Sequence, residues 1–109
     1  MTTNGKLDAA IAALITRLTA ELGEVTSAPT AAGTEFRRGG QVFAVLHDAQ
    51  ISLRLRPDIA VAALGTPATA PSPRGADWIE FTPAVSNQQD VDRLRAWLTI
   101  GWRAAQRHN

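Results

Sequence analysis

The chain has 109 residues, of which 45% are hydrophobic and 19% are charged, so its composition predicts one folded domain over residues 1–109 and excludes a disordered chain. Its 11 lysine and arginine residues against 10 aspartate and glutamate residues give a net charge of +1, which argues against a protein built wholesale to coat nucleic acid or an anionic membrane. The absence of cysteine excludes disulfides and thiolate chemistry, and two histidines, His47 and His108, are too few for a histidine-rich metal site.

A first amphipathic helix is predicted over residues 7–22. Its large apolar residues recur with the three-and-four spacing of one helical face: Leu7, Ile11, Leu14, Ile15, Leu18 and Leu22. Gly23 is placed to end this helix. The first residues lack a basic region followed by an apolar run, and no window is long and apolar enough to span a membrane. We therefore expect a cytoplasmic protein that does not enter a membrane.

Three consecutive antiparallel strands are predicted next, after a turn-rich segment with a possible short strand near Val25. The first strand covers residues 34–37, and the turn RRGG joins it to a second strand over residues 41–47. The turn HDAQ leads to a third strand, in which apolar residues alternate with Ser52, Arg54 and Arg56. The third strand is therefore predicted to have one dry face and one basic, solvated face.

The second half of the chain predicts two helices and one strand. The run PDIAVAAL followed by Gly65 predicts a short helix, and TPATAPSPRGAD predicts an exposed, extended loop. WIEF predicts a strand, and Ser86 with Gln89 predicts the capping box of a long final helix. The fold class is α+β, a mainly antiparallel sheet of about four strands with two long helices and one short helix, in the order α-β-β-β-α-β-α.

The arginines of the strands form the first candidate site. If the strands pair as two hairpins, Arg37, Arg54 and Arg56 project near one another, with Arg38 at the first turn. Guanidinium groups suit phosphate and carboxylate oxygens, and a two-stranded ribbon fits a major groove, so an acidic ligand or nucleic acid is one interpretation. The other interpretation is favoured: nearby carboxylates pair with these arginines across strands, namely Glu35, Asp48 and Asp58.

An apolar strip on the second strand is the other candidate surface. Because strand side chains alternate, Phe43, Val45 and His47 are predicted to point away from the face that carries Val42, Ala44 and Leu46. If both long helices cover one face, the strip is left on the other, where it marks a partner or ligand surface. The same pattern agrees equally well with the alternative, in which one helix covers each face.

Other candidate residues have mainly structural interpretations. His47 beside Asp48 suggests a general base and its carboxylate, but a surface histidine at a turn is favoured. Trp78, at the start of a strand beside the proline-rich loop, is read as core, with the floor of a pocket as the alternative. No glycine-rich loop follows a strand and opens a helix, so no nucleotide or other cofactor is predicted.

From Gly33 onward, the pattern GTEFRRGGQVFAVLHDAQISLRL, a short helix, a proline-containing loop, WIEF and a final helix near SNQQDV resembles the luciferase-domain family of small bacterial and fungal proteins. A looser likeness is to YjbR-like α+β proteins, some of which have been proposed to bind DNA. The family label implies a luciferase or monooxygenase activity, with His47 as the residue for proton transfer, whereas most members have no known function.

Three functions follow as hypotheses from these features. The leading one is a protein-interaction or small-ligand-binding module that uses a sheet face, with a homodimer through that face or a small anionic ligand as the partner. Nucleic-acid binding through an arginine-bearing hairpin is the alternative, and an enzyme of the luciferase type is the second alternative. The residues assigned to the surface are Arg37, Phe43, Val45, His47, Arg54, Arg56 and Trp78.

Overall fold

The computed structural model describes residues 2–107, and the side chains of residues 9–105 within them. Leu7, which was predicted to lie on the apolar face of the first helix, and His108 lie outside the described side chains. In chain order the elements are α1 (Thr2–Leu22), β1 (Thr26–Thr30), β2 (Gly33–Arg38), β3 (Gln41–His47), β4 (Gln50–Arg54), α2 (Pro57–Ala63), β5 (Thr69–Pro71), β6 (Trp78–Phe81) and α3 (Gln88–Arg107). None of the described helices combines the length and the hydropathy that a membrane span requires.

Across residues 2–107, the strands form one antiparallel sheet with six strands in the order β1-β2-β3-β4-β6-β5. The predicted α+β class is confirmed, but the predicted number of about four strands is too low. The two additional strands, β1 and β5, lie at the two edges of the sheet. Each contains a proline, Pro29 or Pro71, which an edge strand tolerates because its outer N–H positions need no partner.

The three helices share one core on one face of the sheet. Buried apolar side chains of α1, α3 and α2 belong to the same cluster as those of the strands: Ile11, Ile15, Leu18, Leu94, Trp97, Leu98, Ala60 and Ala63 from the helices, and Phe36, Leu46, Ile51, Leu53, Ile79 and Phe81 from the strands. The ring of Trp97 meets that of Phe81 edge-on, with centroids 4.9 Å apart. The alternative of one helix on each face is therefore wrong.

A β-bulge in β3 changes the direction of one side chain. Phe36 pairs with Ala44 and Arg37 pairs with Val42, so Phe43 has no Cα partner on β2. An extra residue of this kind locally breaks strict alternation and re-aims its side chain. Phe43 consequently joins the helix-side core and is 0% exposed. The prediction that Phe43 lies on the same surface as Val45 is wrong.

Hydrogen bonds from backbone N–H groups to two side chains fix where α3 begins. The side-chain oxygen of Asn87 accepts a hydrogen bond from the Asp90 N–H at 3.2 Å, and Asp90 in turn accepts one from the Ala84 N–H at 2.9 Å. The cap is therefore Asn87, and the predicted Ser86–Gln89 box is wrong because the helix begins one residue later. Gly101 lies against Phe43 and the Arg54 carbonyl, where a Cβ would come within 2.8 Å of that oxygen.

Candidate functional site

The sheet face opposite the helices, called here the outer face, is covered by no helix among the described residues. Its central row crosses all six strands through paired residues: Ala28, Glu35, Val45, Ser52, Glu80 and Ala70. One further step along the strands, the adjacent row contains Arg37 paired with Val42, and Arg54 paired with Trp78. The outer face thus has an acidic row beside a basic row.

The charged side chains of the outer face are held by neighbours on the same face. Arg37 donates to Glu35, and Arg54 Nε donates to Asp77 Oδ2 at 3.1 Å. The Ser52 hydroxyl lies 2.7 and 2.9 Å from the two carboxylate oxygens of Glu80. These contacts fix the positions of five charges, because each contact also restricts the rotamers of a charged side chain.

Val45 lies at the centre of the outer face and is only 1% exposed. It is absent from the helix-side cluster, so the residues that bury it belong to the outer face, where Glu35 and Ser52 are its paired neighbours. An apolar strip open to solvent is therefore not what the structure shows. The surface that a partner would meet is the layer of charged side chains around Val45.

Five of the seven residues assigned to the surface from sequence lie on the outer face: Arg37, Val45, His47, Arg54 and Trp78. Phe43 faces the helices instead. Arg56 follows β4, at the start of α2, where its guanidinium group lies 3.4 Å from the Asp58 carboxylate. Glu35 and Asp58 do pair with arginines, but each pair joins residues two positions apart in one segment, so the predicted pairing across strands is wrong for both, and Asp48 contacts His47.

Trp78 is half-buried at the margin of the outer face rather than part of the core. The guanidinium carbon of Arg74 lies 5.2 Å from the centre of its ring, within the range of a cation–π contact. Arg74 comes from the proline-rich segment before β6, so this segment contributes to the outer face. Tryptophan and arginine are the residue types most enriched where protein interfaces are strongest.

His47 does not have the surroundings of a catalytic base in this structure. Its Nδ1 lies 3.5 Å from Asp48 Oδ2, but the two side chains are 62% and 76% exposed. Such an open pair is screened by water and contributes little to the stability of the fold. Among the described side chains, no three His, Asp or Glu residues converge as a metal-binding group.

Arg38 lies on the opposite side of the sheet from its neighbour Arg37. It is 6% exposed, its Nη1 donates to the Trp102 carbonyl at 3.2 Å, and its guanidinium carbon lies 3.4 Å from the centre of the Trp102 ring. Trp102 Nε1 in turn donates to the Gly23 carbonyl. The idea that Arg38 joins the other arginines at one site is wrong, because Arg38 instead connects β2 to α3.

We expect Arg38→Ala to lower the free energy of unfolding by about 2–3 kcal/mol, because it removes the hydrogen bond to Trp102 and the stacking on its ring. Arg37→Ala is the matched control, since its pair with Glu35 at the sheet surface contributes at most about 1 kcal/mol. Urea unfolding of both variants measures the difference. Equal losses would contradict the placement of the two arginines on opposite faces.

A second group of residues, on the helix side, was not identified from sequence. A cavity of about 180 Å³ lies between α2 and α3 and is lined by Arg56, Ile59, Ile100, Arg103 and Ala104. In the sequence, a cation near the C-terminal end of a helix such as Arg103 is explained by the helix dipole alone. Because Arg56 and Arg103 are far apart in the chain, the helical periodicity of either segment alone does not show that they meet.

Comparison of the chain with protein-family models, with curated proteins and with solved structures gives no match. The resemblance to the luciferase-domain family stays a prediction.

Proposed function

We propose that this chain is a homotypic interaction module and that its outer face binds the outer face of a second copy. The observation that carries the proposal is the pair of adjacent rows of opposite charge on a sheet face that no described helix covers. Antiparallel sheets with one solvated face are common, so exposure alone would not suffice. The arrangement of the charges supplies the additional argument.

The two rows are self-complementary under a two-fold axis. Neighbouring rows on one face are about 7 Å apart, because each residue of a strand advances about 3.4 Å. An axis between the rows, in the plane of the interface, brings the acidic row of one copy over the basic row of the other. Glu35 then faces Arg37 of the second copy, and Arg37 faces its Glu35, as expected for an isologous contact.

The charge balance of the face favours a second copy over nucleic acid. Arg37 and Arg54 are each paired with a carboxylate, and Glu80 adds another acid in the adjacent row. Binding to a phosphate backbone depends on cationic side chains that neutralise phosphates and release counterions, and the paired arginines of this face are poorly suited to that role. A copy of the same face instead offers both signs of charge, with Glu35 and Arg37 matched across the two-fold axis.

The size of the face sets the expected strength. Six strands spaced about 4.8 Å apart and about four to five residues long give a footprint of roughly 450 Å² for each copy. The total is therefore near the lower limit of specific interfaces, where complexes are transient. We expect a monomer–dimer equilibrium with a dissociation constant of about 10–100 μM that weakens as salt is added.

The proposal predicts that Arg37→Glu and Glu35→Lys each abolish the dimer but that an equimolar mixture of the two variants restores it. In each variant alone, like charges face each other twice across the two-fold axis, whereas in the mixed pair both contacts join opposite charges. Sedimentation equilibrium and native mass spectrometry of the separate and mixed proteins measure this directly.

The control for that experiment is Arg95→Glu on α3, whose exposed pair with Glu21 resembles that of Arg37 and Glu35 but lies on the helix side. Its dimer should be unchanged. A wild-type chain that stays monomeric at about 1 mM would overturn the proposal, because even the weakest specific interfaces assemble there. So would a dimer that Arg37→Glu leaves intact.

A further inference from the structure

We propose that the cavity between α2 and α3 binds a small carboxylic acid with a short apolar group. This proposal is independent of the outer face, because the cavity lies on the helix side of the sheet. Its two arginines, Arg56 and Arg103, stand beside an apolar floor that consists of Ile59, Ile100 and Ala104. A charged opening over an apolar floor matches a ligand with one anionic end and one apolar end.

The charges at the cavity favour a monoanion. Arg56 shares its guanidinium group with Asp58 at 3.4 Å, whereas Arg103 has no hydrogen-bond or ion-pair partner among the described side chains. Two guanidinium groups and one carboxylate leave a local charge of +1, which a single carboxylate neutralises. A phosphate monoester, with a charge near −2 at neutral pH, would leave an excess of negative charge beside Asp58.

The volume of the cavity limits the apolar group. About 180 Å³ corresponds to roughly six water-sized groups, well below the space that a drug-sized ligand or a nucleotide occupies. The three apolar lining residues are all partly exposed, so a short alkyl chain laid against them would remove their remaining surface from water. A short-chain aliphatic acid satisfies both limits.

Hexanoate is the probe for the first test, with hexanol and hexylamine as neutral and cationic controls of the same chain length. Amide chemical shifts followed by NMR should move at Arg56, Ile59, Ile100, Arg103 and Ala104. We expect a dissociation constant of about 1 mM for hexanoate, typical of a small ligand with few contacts. Hexanol, hexylamine and phenyl phosphate should bind at least about tenfold more weakly.

Variants then test which groups bind the probe. Arg103→Gln should weaken hexanoate binding about tenfold, because it removes a charged donor without changing the shape of α3 much. Arg95→Gln, eight residues earlier on the same helix and outside the cavity, should leave binding unchanged. Ala104→Leu should abolish binding by filling the apolar floor while leaving dimer assembly as in the wild type.

Three results would overturn the proposal. The first is the absence of shift changes at hexanoate concentrations roughly tenfold above the expected constant. The second is shift changes that map to the outer face, and the third is equal binding by the wild type and both Arg103→Gln and Ala104→Leu. Dimer assembly is measured in a separate experiment. If hexanoate does not bind, the outer-face proposal is unaffected, and if the dimer does not form, the cavity proposal is unaffected.

Discussion

Gly33→Ala is expected to lower the free energy of unfolding by about 3 kcal/mol or more, since it combines a steric overlap with a strained backbone. Gly33 opens β2 with φ at +127°, a conformation that residues with a Cβ rarely adopt. A Cβ at this position would overlap the Leu46 carbonyl oxygen and lie 3.0 Å from its carbonyl carbon. Both clashing atoms are backbone of the neighbouring strand, so a side-chain rotation cannot relieve the overlap.

Gly40→Ala is the matched control for this substitution. Gly40 also has a positive φ, +82°, but a Cβ there would meet no atom within 4 Å. It therefore measures the cost of the left-handed conformation alone, about 1 kcal/mol. Urea unfolding of the two variants should differ by about 2 kcal/mol, and an equal loss of stability would show that β2 and β3 do not approach closely at Gly33.

Phe43→Ala is expected to cost about 3–5 kcal/mol, the range for a large aromatic side chain removed from a closed core. Phe43 is fully buried beneath α3, and its Cβ lies 3.4 Å from the position that a Cβ on Gly101 would take. The contact is too close for the helix to settle further into the vacated space, because Gly101 already approaches the Arg54 carbonyl. Denaturant unfolding measures the loss.

Val42→Ala, one residue away, is the control that distinguishes the two possible directions of Phe43. Val42 is half-buried and pairs with Arg37 on the outer face, so its loss should cost less than about 1.5 kcal/mol. Strict alternation along the strand would instead place Phe43 on the surface and Val42 in the core. A larger loss for Val42→Ala than for Phe43→Ala would therefore contradict the bulge.

The sequence predicted those parts of the fold that depend on local patterns. The three-and-four spacing of α1 and the stop at Gly23, whose N–H donates to the Thr19 carbonyl, are both confirmed. So are the short helix after Pro57 and the strands β3 and β4. In each case one segment contains the whole signal, because helical and strand periodicities are properties of neighbouring residues.

Features that depend on a partner segment escaped prediction. Alternation counted along β3 gives no sign of the bulge, which exists only in the register between β3 and β2. Likewise, Thr69–Pro71 contains no strand pattern of its own and becomes β5 by pairing with β6. The cavity beside Arg103 requires α2 and α3 to be packed together. Long-range packing of this kind overrides local preference.

Within the candidate site, the sequence predicted the position of the surface arginine Arg54 but not that of the buried Arg38. The alternation in β4 placed Arg54 on a solvated face, where it lies with Arg37. The adjacent pair Arg37 and Arg38 gave no indication that one guanidinium is buried, because arginine is rarely a core residue. The signal available was Trp102 on α3, whose ring face attracts a cation, but its position over β2 depends on the tertiary structure.

The prolines at the two sheet edges have a consequence for aggregation. Pro29 in β1 and Pro71 in β5 lack the N–H group that another strand would need in order to extend the sheet sideways. Edge-to-edge growth, the route to amyloid-like fibrils, is therefore interrupted at both ends of the sheet. The dimer that we propose through the outer face would use a closed two-fold contact instead, so its assembly should stop at two chains even when the protein is concentrated.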